Sequence, residues 1–459
     1  MAIKRPSRFL FLTIISLAAI SCQDERAPSI VSVPVTEAHV GRIYTYQVHI
    51  QEEFSCVYSL VTAPPGMAID STTGLITWTP CETSDFTAKV EVDAKNGQRN
   101  CSQCFSVRVG GLQAEGWETD VLSNAHMKEK ALNDMLDFIK ANPRFPIHCV
   151  LIIRNGKLVF EEYFPGMNLF WPPWSTTPKY VRFDRYSPHQ QASIMKSVVS
   201  LLMGIAIRQG VISDVEQPCL AFFPEYGPFA NWSSEKRQIT LENLLTMSSG
   251  LSYGEPEWDG FLNVVVPTHD WLKTTLDLPV ITPPGKTWAY FTAGPHLVGA
   301  AIANAARMPL DEFAGRYLLK PLEMEGVQWA YDPMGRVFGG GGHQMRPIDM
   351  VKIGYLLLNR GMWKGREIIS PDWIPESTAV RFRPEAGEGY GYFWWRPTFR
   401  VGGQEFTPYE AGGGGGQFIF AFPELDMVVA MTGGDWEDTM ISEFGSMMTE
   451  YILPSAVYE

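Results

Sequence analysis

Apolar and polar positions alternate along residues 28–110. The segments YTYQVHI, CVYSLV, LITWTP, FTAKVEVDA and CFSVRV each carry this two-residue period, which sorts side chains onto opposite faces of a strand. Turn signals separate them at Pro64-Pro65-Gly66, Asp70-Ser71-Thr72-Thr73-Gly74 and Asn96-Gly97. Short strands broken in this way predict a β-sandwich. Gly110 to Glu118 reads as a linker, and the period then changes. Between Asn124 and Lys140, the residues Met127, Ala131, Leu132, Met135, Leu136 and Ile139 form one helical stripe. CVLIIRNGKLVFEEYF predicts two strands joined at Asn155-Gly156, a strong hairpin signal. QASIMKSVVSLLMGIAIRQG predicts a helix, and FIFAFP and MVVAMTG predict two late strands. The chain therefore divides into a small all-β part, 28–110, and a larger part of sheet and helix, 118–459.

The first 21 residues stand apart. Lys4, Arg5 and Arg8 precede an apolar run from Phe9 to Ile20, too short to span a bilayer and suited to a signal peptide. It ends Ala19-Ile20-Ser21-Cys22, which resembles a bacterial lipobox. That resemblance implies cleavage before Cys22, lipid attached to it, a membrane partner and a place in the bacterial cell envelope. The alternative is an ordinary secreted chain with an incidental cysteine.

Composition narrows the function classes. Of 459 residues, 45% are hydrophobic and 19% charged, enough to bury a sizeable core. A formal charge of −13 without a basic tract after the N-terminus argues against nucleic acid as a partner. Four of the seven cysteines, Cys56, Cys81, Cys101 and Cys104, lie in the small part. In an exported chain they suggest disulfides. Zinc is the weaker reading, because no His occurs between His49 and His126 and there is no second C-x-x-C. By strand parity Cys101 shares the apolar face of Phe105, Val107 and Val109, and Cys56 that of Tyr58 and Leu60. Parity separates Cys101 from Cys104 and predicts a Cys56–Cys101 bridge. Cys149 and Cys219 sit in apolar surroundings and read as buried small hydrophobes.

The candidate chemistry begins at Ser193 and Lys196. Three residues apart at the head of an apolar helix, they share a face. A serine hydroxyl needs a base to become a nucleophile, and a lysine serves only where burial or a cationic neighbour favours its neutral form. Val198, Val199, Leu201, Leu202 and Ile205 would supply burial. On this pair alone, a surface lysine beside a helix-capping serine explains the pattern as well. A rival motif, Gly250-Leu251-Ser252-Tyr253-Gly254, spells the G-x-S-x-G nucleophile elbow. It follows residues of helical spacing rather than a strand, and His296 or His343 would have to complete its triad.

Context decides for Ser193. In order, RNGKLVFEEYF, the Ser193 segment, ITLENLLTMSSGL, PPGKTWAYFTAGPHLVGAAI, GGGGHQMRPIDMVKIGYLLLNRGMWKGREIISPDW, YGYFWW and AGGGGGQFIFAFPELDMVVAMTGG resemble the serine hydrolases of the β-lactamase and penicillin-binding family. They resemble most its esterase and amide-hydrolase branch, which includes the 6-aminohexanoate-dimer hydrolases. The likeness runs from about 145 to 455. It implies a β-lactamase/transpeptidase-like domain, an antiparallel sheet flanked by helices with a helical subdomain. It also implies an acyl-enzyme mechanism with neither cofactor nor metal.

Residue by residue, the resemblance makes Ser193 the nucleophile, Lys196 its activating base and Tyr290, in WAYFTAG, a proton shuttle. Thr292 stands where the penicillin-type pattern has Asn. The basic residue of the usual third motif is missing from Ala411–Gly416, leaving no anchor for a β-lactam carboxylate. The N–H groups of Ser193 and of a glycine near Gly414 would form the oxyanion hole. Trp288, Trp394, Trp395 and Trp436 suit neutral or apolar acyl groups. The stretch APPGMAIDSTTGLITWTP, in turn, resembles the Ig-like domains of bacterial envelope proteins and implies a spacer without catalytic residues. The expected whole is an envelope serine hydrolase acting on a small ester or amide. A peptidoglycan D-peptidase or weak β-lactamase is the alternative enzyme, and a non-catalytic ligand-binding lipoprotein the alternative of another class.

Overall fold

The computed structural model describes residues 29–457, apart from 40–42, 52–55, 81–83, 95–99, 111–115, 143, 169–178, 385–387 and 437–440. The signal segment with Cys22, most of the linker, Cys81 and the Asn96-Gly97 turn lie outside the described residues. The chain forms two compact units that divide between Leu112 and Gln113.

The first unit is a two-sheet sandwich, as the alternation predicts. One sheet runs in the order Glu37–His39, Asn100–Gly110, Ser84–Ala94, Cys56–Thr62, and the other in the order Tyr44–Gln47, Leu75–Trp78, Ala68–Ile69. Tyr44, Tyr46, Ile76, Trp78, Phe105, Val107 and Val109 fill the space between them. The Asp70 turn is fixed by its carboxylate, which accepts from the N–H groups of Thr72 and Thr73, and it closes on Gly74 at φ +74°.

The predicted Cys56–Cys101 bridge is corrected by the sheet order. Parity is right, for Cys101 shares its face with buried Phe105 while Cys104 is exposed on the other. But the strand Ser84–Ala94 runs between the two cysteines, pairing Cys56 with Ala94 and Cys101 with Val92. Two strand spacings, about 9.6 Å, exceed the reach of a disulfide. Parity assigns a face, not a neighbour.

The second unit is built on an eight-stranded sheet. Its order is Gly389–Tyr390, Trp395–Arg396, Tyr409–Gly413, Gln417–Phe422, Met427–Gly433, Ile147–Arg154, Lys157–Tyr163, Glu118–Thr119. All pairings are antiparallel except the last. The hairpin turns at Asn155 and Gly156, both at positive φ. One face packs on the first helix, Glu129–Ala141, and on the C-terminal helices. That helix starts five residues later than the periodicity suggests. Residues 122–126 form turns instead, with His126 at φ +55° and Met127 still buried. The other face packs on the helices Ile194–Arg208 and Pro347–Leu358, with Gly294–Ala306 beyond the first of them. Ile194–Arg208 is apolar nearly all round and buried along almost its whole length, so burial rather than amphipathicity holds it. Cys149 and Cys219 are fully buried, and burial pushes both thiols up to about 12.

Candidate active site

Ser193 occupies the N-cap position of the helix Ile194–Arg208, yet its side chain makes no capping bond. Its Oγ lies 2.7 Å from Lys196 Nζ instead. Lys196 is 2% exposed and donates to the Gly340 carbonyl at 2.6 Å. The surface-lysine explanation therefore does not hold. The backbone before the nucleophile is constrained: Ala192 sits at φ +45°, a left-handed conformation that costs a non-glycine residue about 1–3 kcal/mol. Gly341 and Gly413 pack directly on Ala192, and Gln191 N–H donates to the His343 carbonyl. These contacts present Ser193 at the positive end of a buried helix.

Tyr290 reaches the same place from the loop before Gly294–Ala306. Lys196 Nζ lies 5.0 Å from its ring centroid, and Trp395 stacks on it at 6.2 Å. Trp288 and Tyr390 complete an aromatic wall. Of the other tryptophans expected here, Trp394 is core and Trp436 packs over Gly415.

The glycine run meets the nucleophile at Gly413. A Cβ there would stand 2.5 Å from the Gln191 carbonyl and 3.1 Å from Ser193 N. Gly414, the expected oxyanion donor, follows in open space where a Cβ would touch nothing. The strand Tyr409–Gly413 thus approaches Ser193 backbone to backbone, which a side chain at 413 would prevent.

Three acidic residues that motif reasoning missed surround this centre. Glu257 accepts from Thr292 N–H at 2.5 Å. Burial raises its pKa, against the pull of the Thr292 bonds and of the Lys196 charge. Glu410 lies on the glycine strand itself, and its Oε1 would be 2.7 Å from a Cβ on Gly412. Burial, reinforced by the charge of Glu388, pushes its pKa up to about 8. Glu410 stands two residues before Gly412 in the sequence, and only the fold shows where it points. Arg346 is paired with Asp349 at 2.8 Å. Arg396 donates to the Thr378 and Thr407 carbonyls and lies over the Tyr409 ring. Arg346 is thus held by its own helix, and Arg396 by two carbonyls and the first residue of the glycine strand.

The rival elbow is not assembled. Gly250–Gly254 is a loop between two helices, and Ser252 Oγ accepts from Gly254 N–H. His296 spends its ring nitrogens on the Val337 carbonyl and Asp332. His343 is buried beside Trp329, and burial lowers its pKa to about 3, which keeps the ring neutral.

Comparison with known proteins agrees with this geometry. The family described as "Beta-lactamase" matches residues 137–436, and that described as "Putative Ig domain" matches 27–110. "Beta-lactamase-like protein 2" of Dictyostelium discoideum is 26% identical over 148 residues, covering 31% of this chain and 26% of its own length. The chain therefore spans about a quarter of that relative. Solved structures share the fold. "Putative 6-aminohexanoate-dimer hydrolase from Bacillus anthracis" has TM-score 0.54 and 19% identity, over 67% of this chain and 79% of that one. "EstCE1, a hydrolase with promiscuous acyltransferase activity" has TM-score 0.54 and 15% identity, over 70% and 96%. "Simvastatin Synthase (LovD) from Aspergillus terreus, unliganded" has TM-score 0.54 and 15% identity, over 71% and 98%.

Proposed function

This chain belongs to the β-lactamase family, and from that premise we propose that it is a serine hydrolase cleaving an ester or linear amide through an acyl-Ser193 intermediate. The single observation that carries the reading is the 2.7 Å contact between Ser193 Oγ and the buried Lys196 Nζ. Lys196 takes the Ser193 proton as Oγ bonds to the substrate carbonyl carbon. The carbonyl oxygen becomes an oxyanion, held by the N–H of Ser193 and that of Gly414. As the bond to the leaving group breaks, Tyr290 passes it a proton drawn from Lys196. Water then attacks the acyl-enzyme along the same path in reverse, releasing the acid and restoring Ser193.

Substrate class follows from charge. The run Ala411–Gly416 carries no basic residue, Arg346 is paired with Asp349, and Arg396 is spent on the Thr378 and Thr407 carbonyls and the Tyr409 ring, so the run itself offers a β-lactam carboxylate no cation. An uncompensated buried carboxylate costs several kcal/mol. Ester or linear amide cleavage is therefore favoured over β-lactam turnover or D-peptidase activity. A non-catalytic binder would have no use for the Ser-Lys-Tyr set. We place the chain in a bacterial cell envelope, held through lipid on Cys22, with the Ig-like unit as spacer.

The test is covalent labelling by a fluorophosphonate. The probe should mark Ser193, and Ser193→Ala should abolish the mark. Lys196→Ala should slow p-nitrophenyl butyrate hydrolysis about 10²–10⁴-fold, and Lys196→Arg should not restore it, because a guanidinium stays protonated. Labelling that survives Ser193→Ala and is lost in Ser252→Ala would move the nucleophile to the elbow.

A further inference from the structure

The acidic side chains beside the nucleophile have no role in the mechanism above. Glu410 projects from the strand that carries Gly413 to Ser193. Its carboxylate leans along that strand into the space a side chain on Gly412 would fill. Glycine at 412 is what makes room for it. Trp395 pairs with Glu410 across the strands and lies beside the same gap, 3.7 Å from the position of a Gly412 Cβ. The other side of the Trp395 contact is Tyr290, which faces Lys196. Glu388 lies one residue before the strand Gly389–Tyr390, and its charge acts on Glu410.

Neither glutamate has a hydrogen-bond or ion-pair partner among the described residues, although both are partly shut away from water. Elsewhere in this unit, enclosed carboxylates are matched. Glu161 holds Arg185, Asp332 holds Arg336 and His296, and Asp349 holds Arg346 and Lys352. The two glutamates at the cleft are the exception, and Glu410 remains partly accessible, so a ligand can reach it.

We propose that Glu410 and Glu388 form a subsite for a cationic group on the substrate, a primary or quaternary ammonium a few carbons from the scissile carbonyl. The proposal rests on the serine-hydrolase reading and adds the substrate's charge to it. An ammonium set between the two carboxylates gives each the counter-charge it lacks, and the faces of Trp395 and Tyr290 attract the same group. The pair offers an anionic substrate no counter-charge, which agrees with the missing basic residue in Ala411–Gly416.

Binding can be measured apart from turnover. The Ser193→Ala protein is titrated calorimetrically with methyl 6-aminohexanoate and with its neutral counterpart, methyl heptanoate. A second pair, butyrylcholine and 3,3-dimethylbutyl butyrate, places the cation on the leaving-group side. In at least one pair the cationic member should bind ten-fold or more tighter. Glu410→Gln in the same background should bring that ratio near one, and Glu410→Lys should invert it. Equal affinities in both pairs, or a preference that survives a Glu388→Gln, Glu410→Gln double variant, would overturn the subsite. Loss of fluorophosphonate labelling, by contrast, speaks only to the nucleophile.

Discussion

A methyl group added at Gly413 tests whether close backbone approach, rather than glycine flexibility, positions the reaction. Gly413 does not adopt a positive φ, so alanine is conformationally acceptable there. The obstacle is space. The new Cβ would stand 2.5 Å from the Gln191 carbonyl oxygen and 3.2 Å from the Ala192 Cβ, where ordinary contact begins at 3.4 Å. The strand and the nucleophile turn must therefore separate by roughly 0.9 Å, the difference between 3.4 and 2.5 Å. Both obstacles belong to a turn already constrained at Ala192, so neither yields as a flexible side chain would. Overpacking of this kind costs about 1–3 kcal/mol of stability. A misplacement near 1 Å can reduce catalysis about 10²-fold, equivalent to about 2.7 kcal/mol in the barrier. The assay compares kcat/KM for p-nitrophenyl butyrate in Gly413→Ala and Gly414→Ala, beside their thermal midpoints. Gly414→Ala keeps its N–H and meets nothing within 4 Å, so its loss should be a few-fold at most. A folded Gly413→Ala protein with near-normal kcat/KM would refute the claim that this strand must touch the Ser193 turn.

Glu410 should leave a mark on stability as well. Its pKa is raised in the fold from 4.5 to about 8, so its favourable contribution is full below about pH 4.5 and is lost as pH rises through 8. The shift would be worth up to about 5 kcal/mol at 1.36 kcal/mol per unit, and partial access to water reduces this to about 1–3 kcal/mol. Between pH 6 and pH 9 the wild type should therefore lose about that much more unfolding free energy than Glu410→Gln, measured by urea denaturation, and parallel pH profiles would contradict the buried-carboxylate assignment. For the anchor, Cys22→Ala should move the chain from the membrane fraction to the soluble fraction of its host, and unchanged partitioning would exclude lipid on Cys22 as the tether.

Much of the architecture was legible because it depends on local periodicity. The strands of the first unit, four of the eight strands in the second unit's main sheet, the Asn155-Gly156 turn and the helix behind Ser193 follow from patterns spanning a few residues. The Ser193–Lys196 contact was legible for the same reason, since a spacing of three along one helix places both side chains on a common face. The Cys56–Cys101 pairing failed because sheet order is non-local. The strand Ser84–Ala94, between them in the sheet as well as in the sequence, cannot be assigned its neighbours from alternation. Gly413 was within one residue of the oxyanion assignment at Gly414, but which glycine touches Ser193 depends on strand register. Glu257 and Glu410 were missed because nothing in their local sequence marks them. One becomes part of the site by meeting Thr292 across a loop, the other by leaning over a glycine two positions ahead.

That difference bears on how this site acquires its selectivity. The Ser193–Lys196 pair is held by a buried helix and by the Gly340 carbonyl, and these elements serve any acyl substrate. The groups that can tell one substrate from another sit at the joints between elements. Thr292 with Glu257 links the Tyr290 loop to the short helix Glu257–Gly260, and Trp395 with Glu410 links the sheet edge to the glycine strand. Substitution at such joints changes the charge and shape of the cleft without moving the nucleophile, because the backbone at 413 and the helix behind 193 are fixed by packing rather than by these side chains. The absence of a cation from Ala411–Gly416 and the presence of a carboxyl at 410 act in the same sense. Together they leave no positive potential to hold an anionic substrate beside Ser193 and provide a carboxyl that ionises when a cation meets it.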